Sequence, residues 1–226
     1  QEVVAWSWHD TNEGTDLFES VCVIRGSGYD EVWFSVNRNG TRYIERMVNR
    51  MVSTAPDDQF FVDCGSTYDS TPVTSITGLT HLASKAVAVL ADGVVISGKT
   101  VSAGGVLTLD TAASVVQVGL AYKSDLETLN IDADLQDGSL QGRKVKPSRL
   151  VLRLLNTRGL YLGPDSSTLF AQSIGSASAL FSDDHFATIG GGFRDGGRIF
   201  VRQSEPLPVT ITGIMPEISI GGMTQT

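Results

Sequence analysis

Cysteine is scarce in this 226-residue chain. There are two, Cys22 and Cys64, each inside an apolar run (SVCVI and FFVDCG). No CxxC pair and no Cys/His spacing suited to zinc is present. Two reduced, half-buried small side chains are the simplest reading, and a disulfide between them stays open. Long hydrophobic runs are lacking too. No stretch approaches the ~18 apolar residues that a membrane-crossing helix needs, and no secretory leader is visible. Positive charge is in deficit: 17 Lys and Arg against 25 Asp and Glu give a net charge of −8. That balance argues against a broad basic surface gripping nucleic acid. The chain begins at Gln1 without a Met, and a fragment or processed product of a longer polypeptide is the expectation.

What the chain has in quantity is glycine, 24 residues against 7 prolines. The glycines punctuate short β-branched runs, a pattern of turns and strands rather than of disorder. The clearest stretch is 76–122. Its apolar runs Ala86–Leu90, Val94–Ile96, Val106–Leu109 and Val115–Leu120 are cut by Asp92-Gly93, Ser97-Gly98 and Gly104-Gly105. Such dipeptides supply the positive φ of tight hairpins, so the expectation is a small antiparallel barrel of short strands.

The same stretch contains Gly93-Val-Val-Ile-Ser-Gly-Lys99-Thr100, which fits GxxxxGK[ST] letter for letter. That motif works where backbone N–H groups at a helix start cradle phosphate. Here three β-branched residues fill the loop, and the following Val101-Ser-Ala-Gly-Gly105 cannot start a helix. A hairpin is the expected reading.

Taken in order, residues 1–55 read as a four-stranded meander. Its strands are Val4–His9, Phe18–Arg25, Glu31–Asn37 and Thr41–Val48, with a two-residue turn at Asn39-Gly40. A helix over Tyr43–Val52 is the alternative, since Ile44, Met47, Val48 and Met51 have helical spacing. Asn39-Gly40-Thr41 is formally a glycosylation sequon, which the turn explains without a sugar. A lone meander resembles one propeller blade and cannot bury both faces. Residues 56–122 hold a loop at Pro56–Asp58, a strand at Phe60–Asp63, a polar connection over Gly65–Pro72 and then the barrel. Residues 123–226 read as a β-sandwich. Its expected parts are Asp125–Ile131, a turn at Gly138–Gln141, a basic run Arg143–Lys146 in an exposed loop, and a strand Arg149–Leu155. A long Ser/Ala-rich excursion (165–184), a turn-rich segment (190–197) and strands at 198–203 and 206–214 complete it, with order ending near Ile220.

Several stretches in one order resemble a known family. They are Trp33 and Tyr43-Ile44-Glu45, then Phe61-Val62-Asp63 with Thr67-Tyr68-Asp69, then Ile76–Leu82, Val89–Gly93 and Val118–Tyr122. Gln141–Lys144, the Arg149–Leu155 strand, Asp195-Gly196, Pro206–Thr210 and Ile214-Met215-Pro216 follow. Together they look like the C-terminal part of the tail nozzle proteins of short-tailed phages, also called tail tubular protein B or stabilisation protein. The resemblance implies an all-β fold: a last propeller blade, an inserted small β-barrel like one found in ubiquitin-activating enzymes, and a C-terminal β-sandwich. It implies a virion tail component and a homo-oligomer, typically a ring of six. Tail adaptor and tail fibre proteins would be its neighbours, and DNA would pass through the lumen without sequence-specific binding. It carries no catalytic residue, no cofactor and no metal site, and it predicts no membrane insertion.

Chemistry-bearing clusters are few. Asp183-Asp184-His185 is the tightest and has the donors for a divalent metal or a general base, or it is a solvated loop. Asp57/Asp58 and Asp132/Asp134 are carboxylate pairs that a glycosidase could use or that turns favour. Arg143–Lys146 could touch phosphate or an acidic partner subunit. His81 reads as a surface or capping residue. No GxSxG elbow is present. A carbohydrate-binding or glycan-degrading tail module is therefore the competing function. It predicts exposed aromatics such as Trp6, Trp8 or Tyr161 beside carboxylates, whereas burial of Trp6, Trp8 and Trp33 favours a structural role.

Overall fold

A computed structural model describes residues 7–49, 53–132, 134–135, 138–140 and 142–223. They form an all-β structure of antiparallel sheets, with two single-turn 3-10 segments, Asn12–Gly14 and Thr80–Leu82. No described helix is long and apolar enough to cross a membrane. The chain divides into two compact units. One comprises 1–52, 62–91 and 95–122, and the other 53–61, 92–94 and 123–226.

The first unit opens with a meander of β1 (Leu17–Arg25), β2 (Asp30–Arg38) and β3 (Thr41–Arg46), in that spatial order. Asn39 (φ 50°) and Gly40 (φ 87°) form the β2–β3 turn, and both angles suit a hairpin matched to strand twist. The Asn37 side chain accepts the Gly40 N–H at 2.9 Å, closing the turn. Among the described residues the meander has three strands. Ser7–Asp10 are not in a strand, and Gln1–Trp6 lie outside the described residues. The helical alternative over 43–52 fails where it can be seen. Tyr43 pairs with Val36 and Ile44 with Ser35 in the sheet, because β2 supplies a ready ladder. Met51 and Val52 lie outside the described residues.

The second sheet runs β4-β7-β5-β6, built from β4 (Asp63–Ile76), β5 (Ala86–Ala91), β6 (Val94–Thr100) and β7 (Leu107–Leu120). Among the described residues no sheet closes on itself. Four boundaries differ from expectation. The polar connection Gly65–Pro72 is strand, because Thr67, Tyr68 and Thr71 suit a pleated surface whose outer side chains meet water. Phe60–Val62 is not strand. The runs Val106–Leu109 and Val115–Leu120 are one strand, since Asp110-Thr-Ala112 contains nothing that turns the chain. Ser97-Gly98 likewise lies within β6 instead of ending it. Repeated register shifts between β4 and β7 bend this pair. Its core gathers Leu79, Leu82, Val89, Val101, Leu107, Val116 and Val118, all nearly inaccessible.

The second unit holds two four-stranded sheets and a two-residue ribbon of β9 (Asp134–Leu135) and β10 (Gly138–Ser139). One sheet joins β8 (Ser124–Glu127), β12 (Leu160–Asp165), β13 (Thr168–Gln172) and β16 (Phe200–Gln203) in the order β13-β12-β16-β8. The other is centred on β11 (Arg143–Leu154), flanked by β14 (Asp184–Thr188), β15 (Arg194–Asp195) and β17 (Ile211–Met223). Side chains of both sheets enter one core: Leu150, Leu152 and Leu154 from β11, Leu160 and Leu162 from β12, Val201 from β16. The expected excursion over 165–184 instead contains a hairpin. Asp165 accepts the backbone N–H of Ser167 and Thr168, which turns the chain from β12 into β13. The basic run is not a loop either, since Arg143–Lys146 begin β11 and pair with β17. The last strand starts at Ile211 and reaches Met223, past the expected end.

Candidate functional site

The densest ionic constellation lies in the first unit around Arg38, the last residue of β2. The β2–β3 hairpin brings Glu45 opposite, and the start of β4 brings Asp63. The Arg38 guanidinium donates to Glu45 through Nε at 2.6 Å and Nη2 at 2.7 Å, a two-pronged pair. It donates also to Asp16 at 2.9 Å and to Asp63 at 3.2 Å. Asp63 in turn accepts from the Thr11 hydroxyl and from the Asn12 backbone N–H. Arg38 is only 8% exposed and Asp16 7%. Burial works against the charged guanidinium, but Glu45 and Asp63 outweigh it and its pKa rises. Cys64 sits beside this group with φ 50°. Burial pushes its thiol up to about 12, with Arg38 opposing only in part. The Tyr122 phenol is also raised, first by burial and then by the Asp63 carboxylate.

Chemically this arrangement is a clamp. The cation fills the space among the three carboxylates, and a thiol with a raised pKa is a poor nucleophile. The sequence reading assigns no site role to Arg38 or Asp16, and Glu45 and Asp63 enter it only among the residues that carry the family resemblance. Their partners lie 7 to 25 positions away in sequence. The one signal available was an Arg at a position where strand alternation, Val32, Phe34, Val36, points inward.

The expected clusters fare differently. Asp184 and His185 are the first residues of β14, not a loop. Arg153 holds Asp184 through two hydrogen bonds of 2.8 and 3.0 Å, which lowers its pKa. His185 lies within 3.4 Å of Gln172, edge-on to Phe181, with its pKa lowered by burial. Among the described residues no group of three or more His, Cys, Asp or Glu is placed to share a metal ion. Asp132 accepts from Ser139 at 3.3 Å, while the side chain of Asp134 lies outside the described set. Asp58 is exposed and Asp57 half-buried in a loop. His81 lies, half-buried, in the 3-10 turn Thr80–Leu82.

The GxxxxGK[ST] residues form a turn and a strand. Asp92 (φ 46°) and Gly93 (φ 73°) make the hairpin, and Val94–Thr100 are β6, with no helix after Lys99. Lys99 is spent on Asp110 at 2.9 Å. The tryptophans divide. Trp8 is 85% exposed. Trp33 is half-buried, bonded to Glu31 and covered by the Arg46 guanidinium 5.9 Å from its ring. Trp6 lies outside the described residues. Cys22 is exposed on β1 and Cys64 half-buried, and both are free thiols. The sequence matches no protein-family model and no curated protein sequence.

Proposed function

We propose that the chain is a structural subunit that works through contacts with other protein surfaces, as the nozzle proteins of short-tailed phage tails do. The observation that carries this reading is the β1–β3 meander. Phe18, Val21, Val23, Val32 and Phe34 share one face through direct cross-strand pairing, with Val32 and Phe34 half-buried and Val36, further along that face, fully buried. Val21 and Val23 are each 62% exposed, and every residue of β1 is open to solvent. A contiguous apolar sheet surface of this kind marks a contact site, and it is what a propeller blade presents to the next blade. On this reading the meander is the last blade, the β4–β7 sheet an inserted barrel-like domain, and the two-sheet unit a sandwich. The assembly would be a ring, typically of six, in the virion tail, bordered by adaptor and fibre proteins and passed by DNA.

Electron cryomicroscopy of intact particles tests it. Density for this fold in a ring at the distal tail supports the reading, and its assignment to any other place in the particle refutes it. A second reading, a glycan-binding tail module, draws on the exposure of Trp8. A glycan array with the purified chain decides it, since retention lost in Trp8→Ala would favour that reading.

A further inference from the structure

The β2–β3 turn sets side by side two residues that can react with each other. Asn39 and Gly40 are both exposed, both have positive φ, and nothing lies within 4 Å of the place a Gly40 Cβ would take. An asparagine followed by glycine cyclises readily in an open chain, because glycine has no side chain to bar its backbone nitrogen from the asparagine carbonyl. The Gly40 nitrogen, after losing its proton to hydroxide, bonds to Asn39 Cγ. The Cγ–Nδ2 bond breaks, and the amide nitrogen leaves as ammonia with a proton from solvent. Water then opens the resulting succinimide. Cleavage at Cγ yields aspartate, and cleavage at the α-carbonyl yields isoaspartate, whose backbone runs through Cβ and Cγ. Water is consumed and ammonia released, with no change of oxidation state.

The fold sets a guard on that nitrogen. The Gly40 N–H donates to Asn37 Oδ1 at 2.9 Å. An N–H held by an acceptor loses its proton less readily, and Gly40 must give this bond up before its nitrogen can turn to Asn39 Cγ. The Asn37 amide is oriented in turn. Its Nδ2 donates to Glu19 at 3.2 Å, and Glu19 is gripped by Arg42 at 2.7 and 3.0 Å. A carboxylate only accepts, so Glu19 draws the NH2 side of Asn37 toward β1 and leaves the oxygen for Gly40. Side chains from all three strands thus bear on one backbone amide: Glu19 of β1, Asn37 of β2 and Arg42 of β3, with Asn37 opposite Arg42 in the ladder.

We propose that Asn39 is a self-deamidation site whose rate Asn37 governs, and that isoaspartate formed there loosens the Arg38 clamp. The length of a hairpin turn sets the register of its strands. The Arg38–Thr41 pair closes this turn. An isoaspartyl residue inserts an extra backbone carbon between them, beside the guanidinium that forks onto Glu45 and reaches Asp16 and Asp63. The modification therefore acts on the tie between the meander and β4, whatever surfaces the chain contacts.

The test is ageing of the purified chain in mildly alkaline buffer, folded and in denaturant. Peptide mass mapping follows the amide-to-acid mass gain at residue 39, and labelling by a protein isoaspartyl methyltransferase follows isoaspartate. Folded wild type should react at Asn39 more slowly than denatured. Asn37→Ala should react about fivefold faster than wild type when folded, the rate equivalent of one ordinary hydrogen bond, and no faster in denaturant. Asn37→Asp, which keeps an acceptor for Gly40, should stay near wild type, and Glu19→Ala should fall between wild type and Asn37→Ala. Circular dichroism confirms that each variant folds. Equal rates for folded wild type and folded Asn37→Ala overturn the guard, as do equal rates for folded and denatured wild type. The isoaspartyl form, separated by ion exchange, should exchange amide hydrogens faster over β3 and residues 11–16 than fresh protein. Unchanged exchange there overturns the link to the clamp.

Discussion

Replacing Arg38 by Met keeps much of the side-chain volume and removes the charge. Asp16, Glu45 and Asp63 would then face one another without their shared cation, inside a site where Arg38 is 8% exposed. Removing one partner from a buried ion pair costs about 3–5 kcal/mol, because the remaining charge is left uncompensated. For a chain of this size each kcal/mol shifts the melting temperature by ~2–4 °C, so the transition of the first unit should fall by on the order of 10 °C. Arg38→Lys should recover only part of the loss, since an ammonium cannot make the forked contact with Glu45 while reaching Asp16 and Asp63. The measurement is thermal unfolding by circular dichroism, with hydrogen exchange reporting on residues 11–16 and on β3. Exchange should rise in both segments, because Arg38 ties them to β4. A loss below ~1 kcal/mol, or exchange confined to the β2–β3 turn, would refute the view that this guanidinium holds the first unit together.

Four further outcomes follow from the geometry. Thiol labelling at pH 8 should modify Cys22 alone in the native chain and both cysteines in denaturant, because with a pKa of about 12 Cys64 is thiolate in only ~1 in 10⁴ molecules. The folded pKa of Cys64 exceeds the unfolded one, so its contribution to stability is complete below about pH 9 and declines toward pH 12; Cys64→Ala should flatten that alkaline limb in pH-dependent denaturant titrations. Gly163→Ala should cost ~1–3 kcal/mol or more by urea titration, since an added Cβ would overlap the Thr168 carbonyl oxygen across the hairpin. Lys99→Ala should change stability by less than ~1 kcal/mol, and the wild-type chain should show no ATP binding by calorimetry, because Lys99 lies on a strand paired with a largely exposed Asp110.

Legibility in the sequence followed the range of the interactions. The Asn39-Gly40 and Asp92-Gly93 hairpins were readable because two adjacent residues determine them. So were β1, β2 and β5, whose apolar runs match their strands within a residue or so. β4 was not, because DCGSTYDSTPVTSI is polar and carries a proline. What makes it a strand is the ladder offered by β7, more than 30 residues downstream. The basic run was misplaced for a related reason. Lys144, Lys146 and Pro147 resemble loop chemistry, and their strand identity comes from β17, about 70 residues on. The Arg38 clamp was invisible because no spacing rule joins residues 16, 38, 45 and 63.

Those long-range ladders bear on how the chain works. β7 is paired on both flanks, by β4 along its length and by β5 at its buried end. β11 is likewise paired by β17 on one flank and by β14 and β15 on the other. Each of these two sheets is thus built on one central strand that is paired on both flanks over part of its length, which resists local opening there. What remains unsaturated lies outside those centres, in β1 with its nine exposed residues and in the outer face of β11 with Phe186 and Met215. Apolar surfaces held open around these paired centres support the subunit reading proposed above. The two faces of the β11 sheet should accordingly differ on substitution: Phe186→Ser, at a position 70% exposed, should leave the unfolding free energy nearly unchanged, whereas truncation of Leu150 or Leu152, buried on the opposite face, to Ala should cost ~2–5 kcal/mol in urea titrations.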